Sequence, residues 1–141
     1  MAVSASAYAS LRRTTPCPEC RSPADWVGVQ ALAGDSLRWA VEVTCRACRF
    51  AVADCGGELP EDVREQLLAE HGAAVLRLRA PAHRVTVLRV LRASLRLELG
   101  SAKDVLERVW GGTYTGTPPE VELLARRLRE AGVDAVAFVG S

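Results

Sequence analysis

Long apolar runs are missing from this sequence. No stretch of its 141 residues approaches the roughly 18 consecutive apolar positions that a membrane-crossing helix needs. The opening segment MAVSASAYASLRR has no continuous apolar core and does not read as a signal peptide, so a cytoplasmic location is expected, with no membrane partner. Lysine is almost absent: seventeen Arg and one Lys face seventeen Asp and Glu. The resulting net charge of +1 names no polyanionic or polycationic partner. Paired carboxylates in an evident pocket, a Ser-His-Asp set and a phosphate-binding glycine loop are all lacking, so no enzyme is expected. What remains, 49% hydrophobic and 25% charged residues, suits one ordinary globular domain or two very small ones.

Cysteine carries the first positive signal. Four of the five cysteines form two pairs, Cys17-Pro-Glu-Cys20 and Cys45-Arg-Ala-Cys48. Two thiolates separated by two residues can face one ion from a tight knuckle, and two knuckles complete the tetrahedral four-sulfur cage that zinc prefers. The 24 residues between the knuckles suit a hairpin or a three-stranded ribbon. Asp25 to Ala31 and Leu37 to Thr44 are strand-like, Ala33-Gly34-Asp35-Ser36 is turn chemistry, and Phe50-Ala-Val-Ala can add a third strand. Disulfides are disfavoured because nothing marks secretion, and a thioredoxin-like redox pair because neither CxxC lies in a βαβ pattern. The expected cofactor is therefore one structural Zn²⁺ on Cys17, Cys20, Cys45 and Cys48, a closed site without room for a catalytic water. Cys55 is left as a free thiol, and Trp26 and Trp39 are assigned to the ribbon's small core.

Residues 1–14 show no periodicity and are expected to form a flexible tail, followed by the ribbon at 15–56 and a connecting helix at 57–72. Pro60 opens that helix, Glu61 and Asp62 sit at its positive end, Val63, Leu67 and Leu68 make its apolar stripe, and His71-Gly72 ends it. Residues 73–141 form a second unit. A strand over Ala73–Ala80 precedes helices at about 82–95, from Ser101 to Trp110, and from Thr117 to Gly132; a strand over Val133–Val139 follows. Ser101-Ala-Lys-Asp104 and Thr117-Pro-Pro-Glu120 each read as a capping box, and Gly111-Gly112-Thr-Tyr-Thr115 as a short extra strand. His83 starts the first of these helices and His71 ends the connecting one, which makes both ordinary helix-end residues.

The helix at 82–95 has two unlike faces. With Arg84 at zero and about 100° per residue, Val87, Val90, Leu91 and Leu95 share one arc, the buried face. Arg84, Arg89, Arg92 and Arg96 occupy the opposing side with Val85 and Leu88 among them, and no acidic residue occurs between His83 and Leu97. Apolar side chains inside a positive face indicate a contact surface.

The segment Arg84-Val-Thr-Val-Leu-Arg-Val-Leu-Arg92, the run Leu99-Gly-Ser-Ala-Lys-Asp-Val-Leu-Glu107 and the stretch from Glu122 through Gly132 to Val136 together resemble the C-terminal domain of the bacterial ribosomal stalk protein (L seven/L twelve). The resemblance spans residues 73–140. It implies an α+β fold class: an N-terminal zinc ribbon of antiparallel β structure, then a stalk-like βααβαβ sandwich of three helices on a three-stranded sheet. It also implies a partner-binding patch on Val85, Leu88, Arg89, Arg92 and Lys103, which in that family recruits translational GTPases to the ribosome. Where the family carries Gly-Leu-Gly-Leu between its first two helices, this chain has Arg96-Leu97-Glu98-Leu99, so a reshaped elbow is expected. The family's dimerisation region is replaced by the ribbon, and a monomer is expected.

Two functions follow. The leading one is a protein-binding adaptor whose stalk-like domain recruits a protein, a translational GTPase or ribosome-associated factor being the partner the resemblance suggests. The alternative is nucleic-acid binding or regulation through the ribbon, where Arg21, Arg46 and Arg49 flank the knuckles and can meet phosphates.

Overall fold

The computed structural model describes residues 3–4 and 7–139. The described residues form an α+β fold with four helices and two antiparallel four-stranded sheets. The first sheet is a meander in the order β2 (Tyr8–Pro16), β3 (Pro23–Ala33), β4 (Ser36–Thr44) and β5 (Ala51–Gly56). The second has the order β1 (Val3–Ser4), β8 (Ala135–Val139), β6 (Ala74–Leu78) and β7 (Thr115–Gly116). Helix α1 (Glu61–His71) links the sheets; α2 (Arg84–Leu95) and α3 (Leu99–Trp110) lie between β6 and β7, and α4 (Pro118–Glu130) between β7 and β8. From β6 onward the element order is thus βααβαβ. Among the described residues no helix is long and apolar enough to cross a membrane.

Alternation sets the faces of the first sheet. Ala24, Trp26, Gly28 and Gln30 of β3 are buried on one face, while Asp25, Val27 and Val29 stand on the other. The Trp26 indole lies flat over Gly28, where a Cβ would come within 2.5 Å of the ring, so only glycine admits this close approach. Leu32 pairs with Leu37 and Ala33 with Ser36, which leaves Gly34-Asp35 as a two-residue turn with Gly34 at φ 64°.

The flexible tail expected at 1–14 is corrected here. Tyr8–Pro16 is a nine-residue strand in register with β3, Tyr8 opposite Ala31 and Pro16 opposite Pro23. Val3 and Ser4 pair with Val139 and Phe138 at the edge of the second sheet, which therefore has four strands where three are expected; residues 1, 2, 5 and 6 lie outside the described residues. Only Ala9 and Leu11 of β2 point inward to full burial, too faint an apolar pattern to stand out from sequence. The hydrogen bonds that make it a strand come from β3. Likewise α1 is more than a connection: its Val63 and Leu67 close a core with Ala9, Leu11 and Trp26. The unit that carries the four-cysteine cluster therefore extends over β2 to α1, beyond the 15–56 limits expected for the ribbon.

The second core joins Leu76, Ala135 and Ala137 of the sheet to Val87 and Leu91 of α2, Val105, Leu106 and Val109 of α3, and Val121, Leu124 and Leu128 of α4. Thr117 caps α4 as the sequence indicates: its hydroxyl accepts from the Glu120 N–H, and Glu120 Oε1 accepts from the Thr117 N–H at 2.9 Å. The capping box expected at Ser101 is not formed. Helix α3 begins at Leu99 behind Glu98, which places Ser101 inside the first turn, where its side chain caps nothing. In the elbow between α2 and α3, Arg96 occupies the left-handed region at φ 54°, ψ 45°, and Leu97 N–H closes the helix end on Arg92 O at 3.2 Å.

The two units are fastened by polar contacts around α4. Thr117 Oγ1 donates to Gln30 Oε1 at 2.6 Å, with both residues buried at 0% and 2% exposure. Arg64 of α1 holds Glu120 through Nε and Nη2 at 2.9–3.2 Å, and Arg127 Nη2 donates to the Asp35 carbonyl at 2.8 Å. Thr117→Val keeps the side-chain shape but strands Gln30 without its donor and removes the α4 cap. A loss of about 1–3 kcal/mol is expected, measured as a lower urea midpoint at unchanged slope. Adding Gln30→Leu should recover part of it, because an apolar pair leaves no buried acceptor unpaired.

Candidate functional site

The two CxxC segments build matching knuckles. Cys17 N–H donates to Ser22 O and Arg21 N–H to Cys17 O, at 2.8 and 2.9 Å; Cys45 N–H donates to Phe50 O and Arg49 N–H to Cys45 O at the same two distances. Each knuckle turns on a left-handed arginine directly after its second cysteine, Arg21 at φ 62° and Arg49 at φ 65°. The four sulfurs converge: Cys17 Sγ is 3.6 Å from Cys48 Sγ, Cys20 Sγ is 3.6 Å from Cys45 Sγ, and all four lie within 4.8 Å of one another. A tetrahedral ion with metal–sulfur bonds of about 2.3 Å needs sulfurs about 3.8 Å apart. A disulfide needs about 2.05 Å. All five cysteines are free thiols, and the four that converge can hold a metal ion. Cys17 and Cys45 are buried and Cys20 and Cys48 exposed, so the cluster sits at the tip of the first sheet with one side toward solvent.

The electrostatics of Cys20 and Cys48 also suit a cation. Hydrogen bonds from the Ser22 side chain and backbone lower the Cys20 pKa to about 6. At Cys48 the Phe50 backbone pulls the pKa down, but desolvation and the neighbouring thiols of Cys20, Cys17 and Cys45 carry it up to about 12. One thiolate forms readily and further negative charge beside it is resisted, a conflict that a bound cation removes. Cys55 stands apart on β5, opposite Ala40 and exposed, outside this cluster.

The second candidate is the outer face of α2. Comparison with protein-family models, curated proteins and solved structures finds no match. Val85 is 67% exposed, Leu88 is half-buried and touches the core, and Arg89, Arg92 and Lys103 are exposed. Two hollows meet at Val85 and Leu88. One, of about 460 Å³, continues past Arg89 and Arg92 to Ala93, Arg96 and Leu97. The other, of about 310 Å³, runs between α2 and α3 past Lys103, Asp104 and Glu107. All five residues singled out for partner binding thus line one continuous surface. The larger hollow contains three guanidinium groups, an apolar floor and no carboxylate. The smaller is mixed, with Arg84 bonded to Glu107 and stacked on Trp110 at 4.9 Å.

Sequence reasoning placed Arg96 on the basic arc but not in the patch, and it missed Leu97. Helical phasing stops at Leu95, so the direction of a side chain beyond the left-handed elbow is not available from periodicity. Trp26 lies in the core of the first sheet as expected, with the Arg13 guanidinium over its ring at 3.9 Å. Trp39 is half-buried on β4 against Gly56. His71 ends α1, where Nε2 donates to Ser10 O at 2.6 Å, and His83 precedes α2.

Proposed function

We propose that this chain is a non-enzymatic adaptor: a Zn²⁺-held sheet is fixed to a stalk-like domain whose α2–α3 face binds a partner protein in the cytoplasm. The observation that carries this reading is the larger hollow, where exposed Val85 and half-buried Leu88 sit among Arg89, Arg92 and Arg96 with no acidic side chain. Such a surface matches a partner with an acidic rim around an apolar anchor. The resemblance to the ribosomal stalk protein is supported by the quoted motifs and by the βααβαβ order from β6 onward. It makes a translational GTPase the first partner to test. Four thiolates around a tetrahedral site favour zinc, and with every ligand supplied by the protein the ion's role is to hold the sheet.

The test uses purified elongation factors G and Tu, followed by capture from the native cell. Leu88→Ala should mainly speed dissociation of the bound partner. Arg89→Glu should slow association and change its salt dependence, because exposed charges act chiefly on encounter. If neither factor binds but a captured protein shows both effects, the adaptor reading stands and the GTPase assignment fails. If the variants bind like the parent, the α2 face is not the interface. A nucleic-acid role has one observation in its favour: Arg21, Arg46 and Arg49 all stand exposed around the sulfur cluster. RNA or DNA binding with a steep salt dependence, lost on replacing these three, would establish it.

A further inference from the structure

A third cavity, of about 290 Å³, lies at the joint between the two units, lined from β4, α1, α2, α4 and the strand-like segment before β7. Its apolar walls are Leu37, Leu95, Leu123 and Leu124. Its polar lining is rich in donors: Ser94, Tyr114, Arg64 and Arg127. The one carboxylate present, Glu120, is already committed, bonded by Arg64 at 2.9–3.2 Å and by the Thr117 N–H at 2.9 Å. Arg127 gives a single N–H to the Asp35 carbonyl, and the Ser94 and Tyr114 hydroxyls meet no protein acceptor among the described residues. Cavities between domains with apolar walls and a few converging polar groups are the usual form of small-ligand sites.

We propose that this joint binds a small monocarboxylate with a short apolar body. One guanidinium with spare N–H groups, Arg127, matches one carboxylate, whose planar pair of oxygens fits the guanidinium fork. The hydroxyls of Tyr114 and Ser94 add neutral donors, and the leucines take the apolar body. A cationic ligand would find its only acid already paired, and a phosphodianion would face one spare cation. The volume, just below the usual range of ligand pockets, suits a short chain of roughly six to eight carbons. Since Leu37 belongs to the first sheet and the other leucines to the second unit, such a ligand would touch both.

The experiment is calorimetric titration of the full chain with the straight-chain carboxylates from butanoate to decanoate, with octanamide and octylamine as matched controls. Saturable binding peaking near hexanoate or octanoate, at least tenfold tighter than octanamide, is the expected result. Arg127→Gln should weaken it at least tenfold, Arg127→Lys less, and Tyr114→Phe by a few-fold. Leu88→Ala, on the α2 face, should leave it unchanged, which separates this site from the partner-binding surface. The proposal is overturned if no member of the series saturates below about 10 mM, if octanamide binds as well as octanoate, or if Arg127→Gln, verified as folded by circular dichroism, binds like the parent.

Discussion

Replacing Cys45 and Cys48 together with serine is expected to abolish metal binding and unfold the first sheet with α1, while the α2–α4 unit stays folded. Structural zinc sites contribute an apparent 10–16 kcal/mol or so, more than a small unit can replace from its own packing. Among the described residues the core of the first unit is small: Ala9, Leu11, Trp26, Val63 and Leu67, with Val41, Val43 and Leu59 at its margin, and Ala24 with Phe50 beside Cys17 and Cys45. The second unit has a larger and separate core. The three tryptophans make this measurable: Trp26 and Trp39 lie on β3 and β4, and Trp110 ends α3. Chelation should move the emission of a variant retaining only Trp26 to the red and leave one retaining only Trp110 nearly unchanged. A protein purified without zinc, or a double serine variant that still holds it, would overturn the assignment of the four ligands.

Leu91→Ala should cost about 2–5 kcal/mol, the range for emptying a fully enclosed leucine site, whereas Leu88→Ala should cost clearly less. Leu91 is 0% exposed in the core with Leu76, Leu124 and Leu128, while Leu88 only touches that core and otherwise lines both hollows of the α2 face. Thermal melts of the two variants check this. Equal destabilisation would place Leu88 functionally in the core and remove the apolar anchor from the proposed interface.

The burial of Val87 and Leu91 was legible from sequence because twelve regular helical residues fix the phase of the side chains between Arg84 and Leu95, but Val90 and Leu95, expected on the same buried arc, are only partly buried, as is Leu88. The four ligands were legible because paired spacing is local and chemically narrow. Tyr8–Pro16 was not, since its strand character comes from β3 and only Ala9 and Leu11 face inward to burial. Nor was the joint. Gln30 and Thr117 are separated by 87 positions, and neither carries a pattern pointing to the other. Ser101 misled for the reverse reason: a capping motif is only a local option, and Leu99 already lies on the helix. Arg96 shows that a left-handed position need not announce itself with glycine.

The pairing of Val3–Ser4 with Val139 and Phe138 has a consequence for folding order. The hairpins β2–β3, β3–β4 and β4–β5 join neighbours in sequence and can close quickly, but β1 and β8 are separated by nearly the whole sequence and must wait until both units exist. A two-residue pairing recovers little of that closure entropy. In native-state hydrogen exchange the β1 amides should therefore open first and independently, at far lower free energy than the amides of β3. Tension applied between residues 3 and 139 would then peel this pair apart before it loads the sheet that carries the four cysteines.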